Sequence, residues 1–355
     1  MVIIIRIAGF FELGNAIESG LRKLGNNDNF VKEALTVELD MASDDTETDS
    51  DKSDYDPVLV LRAAAFSAVD GNIVISGSDA EQEQTTASTT DGTTGVPTPS
   101  TTAGEVTLTA STGEGGIAFS NKSSKSVDLA SLADGELEID MSLEGPKVLI
   151  YHTHGSEAYT PEGDDVYVAS DNSRTEDTDY NMIRVGREIK QVLEQNGIEC
   201  IQATELHDYP SYTGSYGRSL ETVEYYLQKY PSIQVVLDVH RDALENEDGS
   251  ALKTVANLDQ ESTAQLLIVV GSDGGGLEHP NWQENLSMGI LLQKAIEAQY
   301  PTLARPLCLR DSRFNQHLSA QSLLIEIGCN GNTLQEALRC SRLFAQVLSE
   351  LILEA

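Results

Sequence analysis

The chain has 355 residues, room for two domains, and carries 57 acidic against 23 basic side chains for a formal net charge of -34. Nucleic acid is bound through clustered Lys and Arg that release counterions, and an anionic membrane face attracts the same residues, so this composition argues against both partners. Cys200, Cys308, Cys329 and Cys340 form no CxxC pair and no zinc-ribbon spacing; Cys200 and Cys308 fall in or beside strands and read as buried apolar filler.

The amino-terminal run MVIIIRIAGFF is apolar but too short to span a bilayer, is broken by Arg6, and lacks the layout of a signal peptide. Residues 1–36 are therefore expected to form a short apolar and helical segment, the remnant of an anchor region. From 37 to 144 the chain is mostly Asp, Ser, Thr and Gly, and roughly half of the net charge lies before Gly145. Segments this poor in large apolar residues do not offset the entropy of ordering, so 37–144 is expected to be a largely disordered, acidic tether. Val58 to Ala68 and Gly71 to Ser76 interrupt it as a local helix and a strand. Tethers of this kind commonly separate an anchor from an extracytoplasmic catalytic domain. An extracytoplasmic, membrane-anchored protein is thus expected, although no anchor is evident in the chain.

A globular domain is expected over 145–355, long enough for one core. Strand and helix signals alternate along it, predicting an α/β domain with a mixed, mostly parallel sheet flanked by helices. The strand in VLIYHTHGSEAY (Val148 to Tyr159) ends in His152, Thr153 and His154, with Glu157 three residues on. A helix follows over Tyr180 to Asn196, with Met182, Val185, Ile189, Val192 and Leu193 at helical spacing and Gly197 as its stop. Next come a short strand from Ile198 to Gln202, a helix from Ser219 to Tyr230, and the strand Val235 to Val239, which ends in His240 between Asp238 and Asp242. Then follow the strand Gln265 to Val270, a helix from Trp282 to Tyr300, the strand Leu323 to Ile327 and an amphipathic helix from Thr333 to Leu353.

Parallel strands present ligands at their carboxyl edge. Imidazole and carboxylate there are the ligand types of a catalytic zinc ion, which takes three from the protein and leaves the fourth position to water. His154 and Glu157 arrive together and His240 supplies the third. A single His beside a strand is more often a hydrogen-bonded core or surface residue, but two strands that each end in His are hard to explain by packing. Glu326 lies inside an aliphatic strand, where desolvation raises a carboxyl pKa toward that of a useful general base. The GSDGGG turn from Gly271 lacks P-loop and dinucleotide-loop order and reads as a cleft rim. Tyr209, Tyr212 and Tyr216, on the loop HDYPSYTGSYGRS, read as cleft walls or surface turns rather than catalytic acids, on a loop placed to line a groove for an extended substrate.

Taken in order, YHTHGSEAYTP, RTEDTDYNMIRVG, HDYPSYTGSYGRS, VVLDVHRDA, GLEHPNWQENL, SRFNQHLSAQSLLIEIGCNGNT and QEAL resemble the stage II sporulation protein P family over Lys147 to Leu353. The resemblance implies a zinc-dependent peptidoglycan hydrolase with an N-acetylmuramoyl-L-alanine amidase-like fold. Such an enzyme cuts the amide between N-acetylmuramic acid and the stem-peptide L-alanine, and in some members cross-link peptides, during septal wall removal and engulfment. It further implies a membrane-bound complex with stage II sporulation protein D. On this chain it assigns His154 and His240 as zinc ligands and Glu326 as the catalytic carboxylate. Glu157 is the preferred carboxylate ligand, with Glu176 and Asp177 as alternatives; His152 is either an alternative ligand or orients its neighbour. Arg241 and Asp242 are expected to position substrate or a ligand, and Arg313, Asn315, Gln316 and His317 to line the cleft. The rival readings are a zinc peptidase of wall cross-links and a catalytically idle wall-binding scaffold.

Overall fold

The computed structural model describes residues 104–109, 117–135, 137–246 and 249–355. Their elements are β1 (Gly104–Val106), β2 (Phe119–Asn121), α1 (Leu129–Ala133), β3 (Val148–Tyr151), α2 (Met182–Gln195), β4 (Cys200–Gln202), α3 (Ser215–Lys229) and β5 (Val235–Asp242). There follow β6 (Leu252–Leu258), β7 (Glu261–Ala264), β8 (Leu266–Val270), α4 (Trp282–Gln299), β9 (Leu307–Leu309), β10 (Ser322–Cys329) and α5 (Leu334–Glu354). Seven strands form one sheet in the order β2-β9-β8-β10-β5-β3-β4, every neighbouring pair parallel except β10 with β8. This is the mixed, mostly parallel α/β architecture that the alternating pattern predicts.

Both faces of the sheet are covered, and the period-two alternation of side chains divides each strand between them. Val235, Leu237 and Val239 enter the larger core with α2, α4 and α5, while Val236 joins a smaller core with Val223 of α3. Asp238 and His240 therefore share the α3 face with Val236. On β10, Leu323, Ile325 and Ile327 fill the larger core, and Leu324 and Glu326 turn to the other face. Buried strands thus deliver their polar side chains to one face near one edge.

Local sequence sets the helix ends. The Asn181 side chain accepts a hydrogen bond from the Ile183 N–H at 3.0 Å to open α2, and Gly197, at φ +82°, lets the chain leave it. Thr333 and Glu336 form a capping box at the start of α5. α3 begins four residues before the expected start at Ser219, directly after Gly214 at φ +81°.

The expected domain start near Gly145 falls too late. β2 pairs with β9 and β1 with β6, and Ile117, Leu129, Leu137 and Ile139 are buried in the main core. These short pieces have little core of their own and are ordered by docking on an existing sheet edge, which composition does not report. β1, β6 and β7 make a second, three-stranded sheet. Its β6–β7 hairpin turns through Asp259 and Gln260, both at positive φ, without the Asn-Gly signal that marks such turns in sequence. The expected helix at Val58 to Ala68, the strand at Gly71 to Ser76 and the segment 1–36 lie outside the described residues. All four cysteines are buried and free, as a filler role predicts for Cys200 and Cys308. Among the described residues, no helix is long and apolar enough to cross a membrane.

Candidate metal centre

At the carboxyl edge of the α3 face, His154, Glu157 and His240 are buried with one ligand atom each, all within 4.8 Å of one another. The chain turns after β3, with the Glu157 N–H donating to the His154 carbonyl at 3.3 Å, so the carboxylate folds back over the imidazole. Glu157 Oε1 lies 3.6 Å from His154 Nδ1 and its Oε2 lies 3.7 Å from His240 Nδ1. The two imidazoles meet edge to face, 4.9 Å between centroids. These separations are too long for hydrogen bonds. They are near the ~3.4 Å expected between ligand atoms set tetrahedrally about 2.1 Å from one zinc ion. His154 Nδ1 is buried with no hydrogen-bond partner. A buried lone pair without a partner, facing a carboxylate and a second imidazole, fits a metal ion.

Each histidine is oriented from behind. His240 Nε2 lies 2.8 Å from Asp238 Oδ1, and Asp238 in turn accepts from the Thr153 N–H at 2.9 Å and the Thr153 hydroxyl at 2.7 Å. With the Asp238 carboxylate beside Nε2, the Nδ1 side of the ring faces Glu157. His154 Nε2 is 3.1 Å from Ser215 Oγ, at the first residue of α3. Glu157 Oε2 also accepts from the Arg241 backbone N–H at 3.3 Å.

Burial, reinforced by the neighbouring His240 charge, holds His154 well below the usual imidazole range and therefore neutral. Burial also works against a charge on His240, but Asp238, joined by Glu157 and Glu326, overcomes it and raises that group to about 10. The cluster demands positive charge at this spot, which a proton or a metal cation supplies. Burial raises Glu157 against the pull of Arg241, His240 and Arg174. Glu326, 5% exposed, is the register partner of His240; burial first and the Asp242 charge second push it up to about 8. Its Oε2 is buried with no hydrogen-bond partner.

The Tyr212 ring stacks on His154 at 4.5 Å and 23°, and Tyr216 meets the same imidazole edge-on at 5.7 Å. These two tyrosines lie against the cluster, whereas Tyr209 is exposed. The Arg174 guanidinium lies 4.7 Å from the Tyr212 ring centroid, 3.9 Å from Glu157 Oε1 and 3.8 Å from Asp208 Oδ2.

Other expected site residues lie elsewhere. His152 is buried, with Nδ1 on the Val239 carbonyl at 2.8 Å and Nε2 on Gln202 at 3.0 Å, so both nitrogens are occupied and neither is free for a metal. Glu176 and Asp177 are exposed and outside the cluster. Instead of facing substrate, Arg241 donates to the carbonyls of Ala158, Ser173 and Asp242, bracing the Glu157 turn. Asp242 is fully buried and pairs with Arg305 at 2.7 Å. Gln316 is spent on the Gly271 N–H and the Val269 carbonyl, and Asn315 on the Tyr216 carbonyl and Ser219 Oγ, below the site. His317 stands edge-on to His279, and Arg313 reaches the Glu278 carbonyl. Because β8 runs antiparallel to β10, the GSDGGG turn follows β8 to the edge opposite Glu326, so it is not a cleft rim. Its glycines are needed for close approach: a Cβ on Gly271 would lie 2.3 Å from the Ser312 carbonyl oxygen.

Sequence reasoning named Asp238 only as an acidic neighbour, although its place two residues before His240 on a strand was a readable signal for a same-face partner. Ser215, Arg174 and Asp208 fall within the motifs RTEDTDYNMIRVG and HDYPSYTGSYGRS but were not singled out, since they reach the site from loops and a helix start.

Comparison with known proteins gives three findings. The model of the family described as Stage II sporulation protein P matches residues 66–349. Stage II sporulation protein P of Bacillus subtilis (strain 168) is 29% identical over 221 residues, covering 59% of this chain and 51% of that protein. The chain therefore spans about half the length of the curated relative it matches. Similar solved structures include the CwlD amidase from Clostridioides difficile in complex with the GerS lipoprotein, at 10% identity and TM-score 0.38 over 59% of this chain and all of that one. They also include the N-acetylmuramoyl-L-alanine amidase AmiC2 of Nostoc punctiforme, at 13% identity and TM-score 0.35 over 59% of this chain and 96% of that one.

Proposed function

Because the chain belongs to the stage II sporulation protein P family, we propose that it is a zinc-dependent peptidoglycan hydrolase acting during sporulation. The bond cut is the amide between N-acetylmuramic acid and the stem-peptide L-alanine. The supporting observation is the buried trio His154, Glu157 and His240 with Glu326 held opposite His240 on the next strand. A non-catalytic wall-binding domain has no physical need for a desolvated carboxyl beside such a trio.

His154, Glu157 and His240 would hold the metal, which would supply Lewis acidity and make a water acidic enough to react near neutral pH. Asp238 and Ser215 fix the imidazoles. Glu326, buried on the strand beside His240, takes the water proton and returns it to the leaving amine nitrogen. The Tyr212 and Tyr216 walls limit bulk water. The site of action proposed is the extracytoplasmic wall in septal removal and engulfment, in a membrane-bound complex with stage II sporulation protein D.

The test treats purified peptidoglycan with the zinc-loaded and the chelated protein and analyses the products. Zinc-dependent release of stem peptides with new alanine amino termini is expected. Trimmed or uncross-linked peptides would mean a wall peptidase instead, and a protein that binds no zinc would overturn the site.

A further inference from the structure

Resting on that reading, we infer that Arg174 touches substrate: its guanidinium holds the carbonyl oxygen of the scissile amide as that oxygen gathers negative charge. Amide hydrolysis adds the water oxygen to the carbonyl carbon, moves an electron pair onto the carbonyl oxygen, and then breaks the C–N bond as nitrogen takes the proton carried by Glu326. Preorganised donors aimed at that oxygen are usually the largest single contribution to such a step. Two other arginines near the cluster are committed. Arg241 donates to three backbone carbonyls, and Arg305, itself 8% exposed, is paired with Asp242.

Arg174 differs on each count. Its backbone bridges that of Glu157, so guanidinium and ligand carboxylate emerge side by side. Its nearest carboxylate contacts, 3.9 Å to Glu157 and 3.8 Å to Asp208, are longer than hydrogen bonds, and its Nε is buried with no hydrogen-bond partner. Its side chain keeps 19% exposure, which leaves it reachable. The Tyr212 ring that stacks on His154 also carries the guanidinium, so one aromatic shelf fixes the cation relative to a metal ligand. A guanidinium that only neutralised Glu157 and Asp208 would gain by closing to hydrogen-bond distance.

The experiment uses the full chain, with Arg174→Gln and Arg174→Lys measured beside wild type. Zinc affinity is read by chelator competition, kcat and KM are read separately on soluble muropeptides, and the affinity of the zinc-loaded protein for a phosphonate mimic of the tetrahedral amide is read by calorimetry. Arg174→Gln is expected to keep zinc, to lose about 100-fold or more in kcat with KM little changed, and to lose phosphonate affinity in parallel, with Arg174→Lys in between. Zinc retained with kcat within a few-fold of wild type overturns the assignment, as does an activity loss fully accounted for by lost zinc. Should Arg174→Gln not fold, Arg174→Lys decides by the same criteria. A wild-type protein that binds no zinc overturns the site reading itself, and with it this role.

Discussion

Glu326 of β10 and His240 of β5 stand directly opposite each other in the register of two parallel strands, with Asp242 and Cys329 paired beyond them across a bulge. Adjacent strands lie about 4.8 Å apart, so the proposed general base and a proposed metal ligand are held at a separation that loop motion does not change. The roles proposed for the two predict different losses. Glu326→Gln should retain zinc and lose peptidoglycan hydrolysis, whereas His240→Ala should lose both. Metal analysis and product release on the same preparations decide it, and a fully active Glu326→Gln protein removes Glu326 from the mechanism.

Asp238 adjoins the proposed ligand His240 at its Nε2, 2.8 Å away. Asp238→Asn is expected to weaken zinc binding about 10–100-fold with all three ligands intact. Chelator competition measures this directly; unchanged affinity would mean that the His240 orientation is fixed by strand packing alone.

His152, despite its place in the same motif, binds the Val239 carbonyl and Gln202. His152→Ala should therefore cost stability, about 1–3 kcal/mol from buried partners left unsatisfied, while zinc stoichiometry stays the same. Gly186→Ala should act at the same point, since a Cβ there would lie 2.6 Å from His152 Nε2. Urea melts together with metal content separate this from a ligand role, in which zinc would be lost first.

In the metal-free protein, Glu326 and His240 each contribute stability that is lost as pH rises. Glu326 has a folded pKa near 8 against 4.5 for the free group, so the folded state binds the extra proton and its advantage falls away between those values. His240, raised from 6.5 to about 10, adds stability that is fully present below 6.5 and lost as pH climbs through 10. Glu326→Gln removes the first contribution, so at pH 8–9 the metal-free variant should be more stable than wild type by several kcal/mol. Denaturant melts at pH 5 and pH 9 test the sign; a variant that is less stable than wild type at pH 9 contradicts a buried, desolvated Glu326.

Asp242 was a candidate substrate contact and is instead half of a buried pair with Arg305. Asp242→Asn should destabilise the fold by about 3–5 kcal/mol through the unpaired guanidinium. KM measured on the fraction that remains folded should be unchanged, and a selective rise in KM at wild-type stability would restore the substrate role.

By itself the sequence determined the α/β alternation, the strands that carry His154, His240 and Glu326, and the side chains each offers. Strand periodicity and the placement of polar residues at the ends of aliphatic runs are local properties. Even the partnership of Asp238 with His240 was implicit in their spacing. Tertiary structure alone decided what depends on distant chain segments. It pairs β10 with β5 so that Glu326 faces His240, and reverses β8 so that the glycine turn, with the Gln316 that binds it, leaves the catalytic edge. It docks β1 and β2 on sheet edges far along the chain, and brings Arg174 and Tyr212 from separate loops onto Glu157 and His154. Such contacts are set by register and packing between segments, and a residue in a polar loop carries no local mark of the neighbour it will meet.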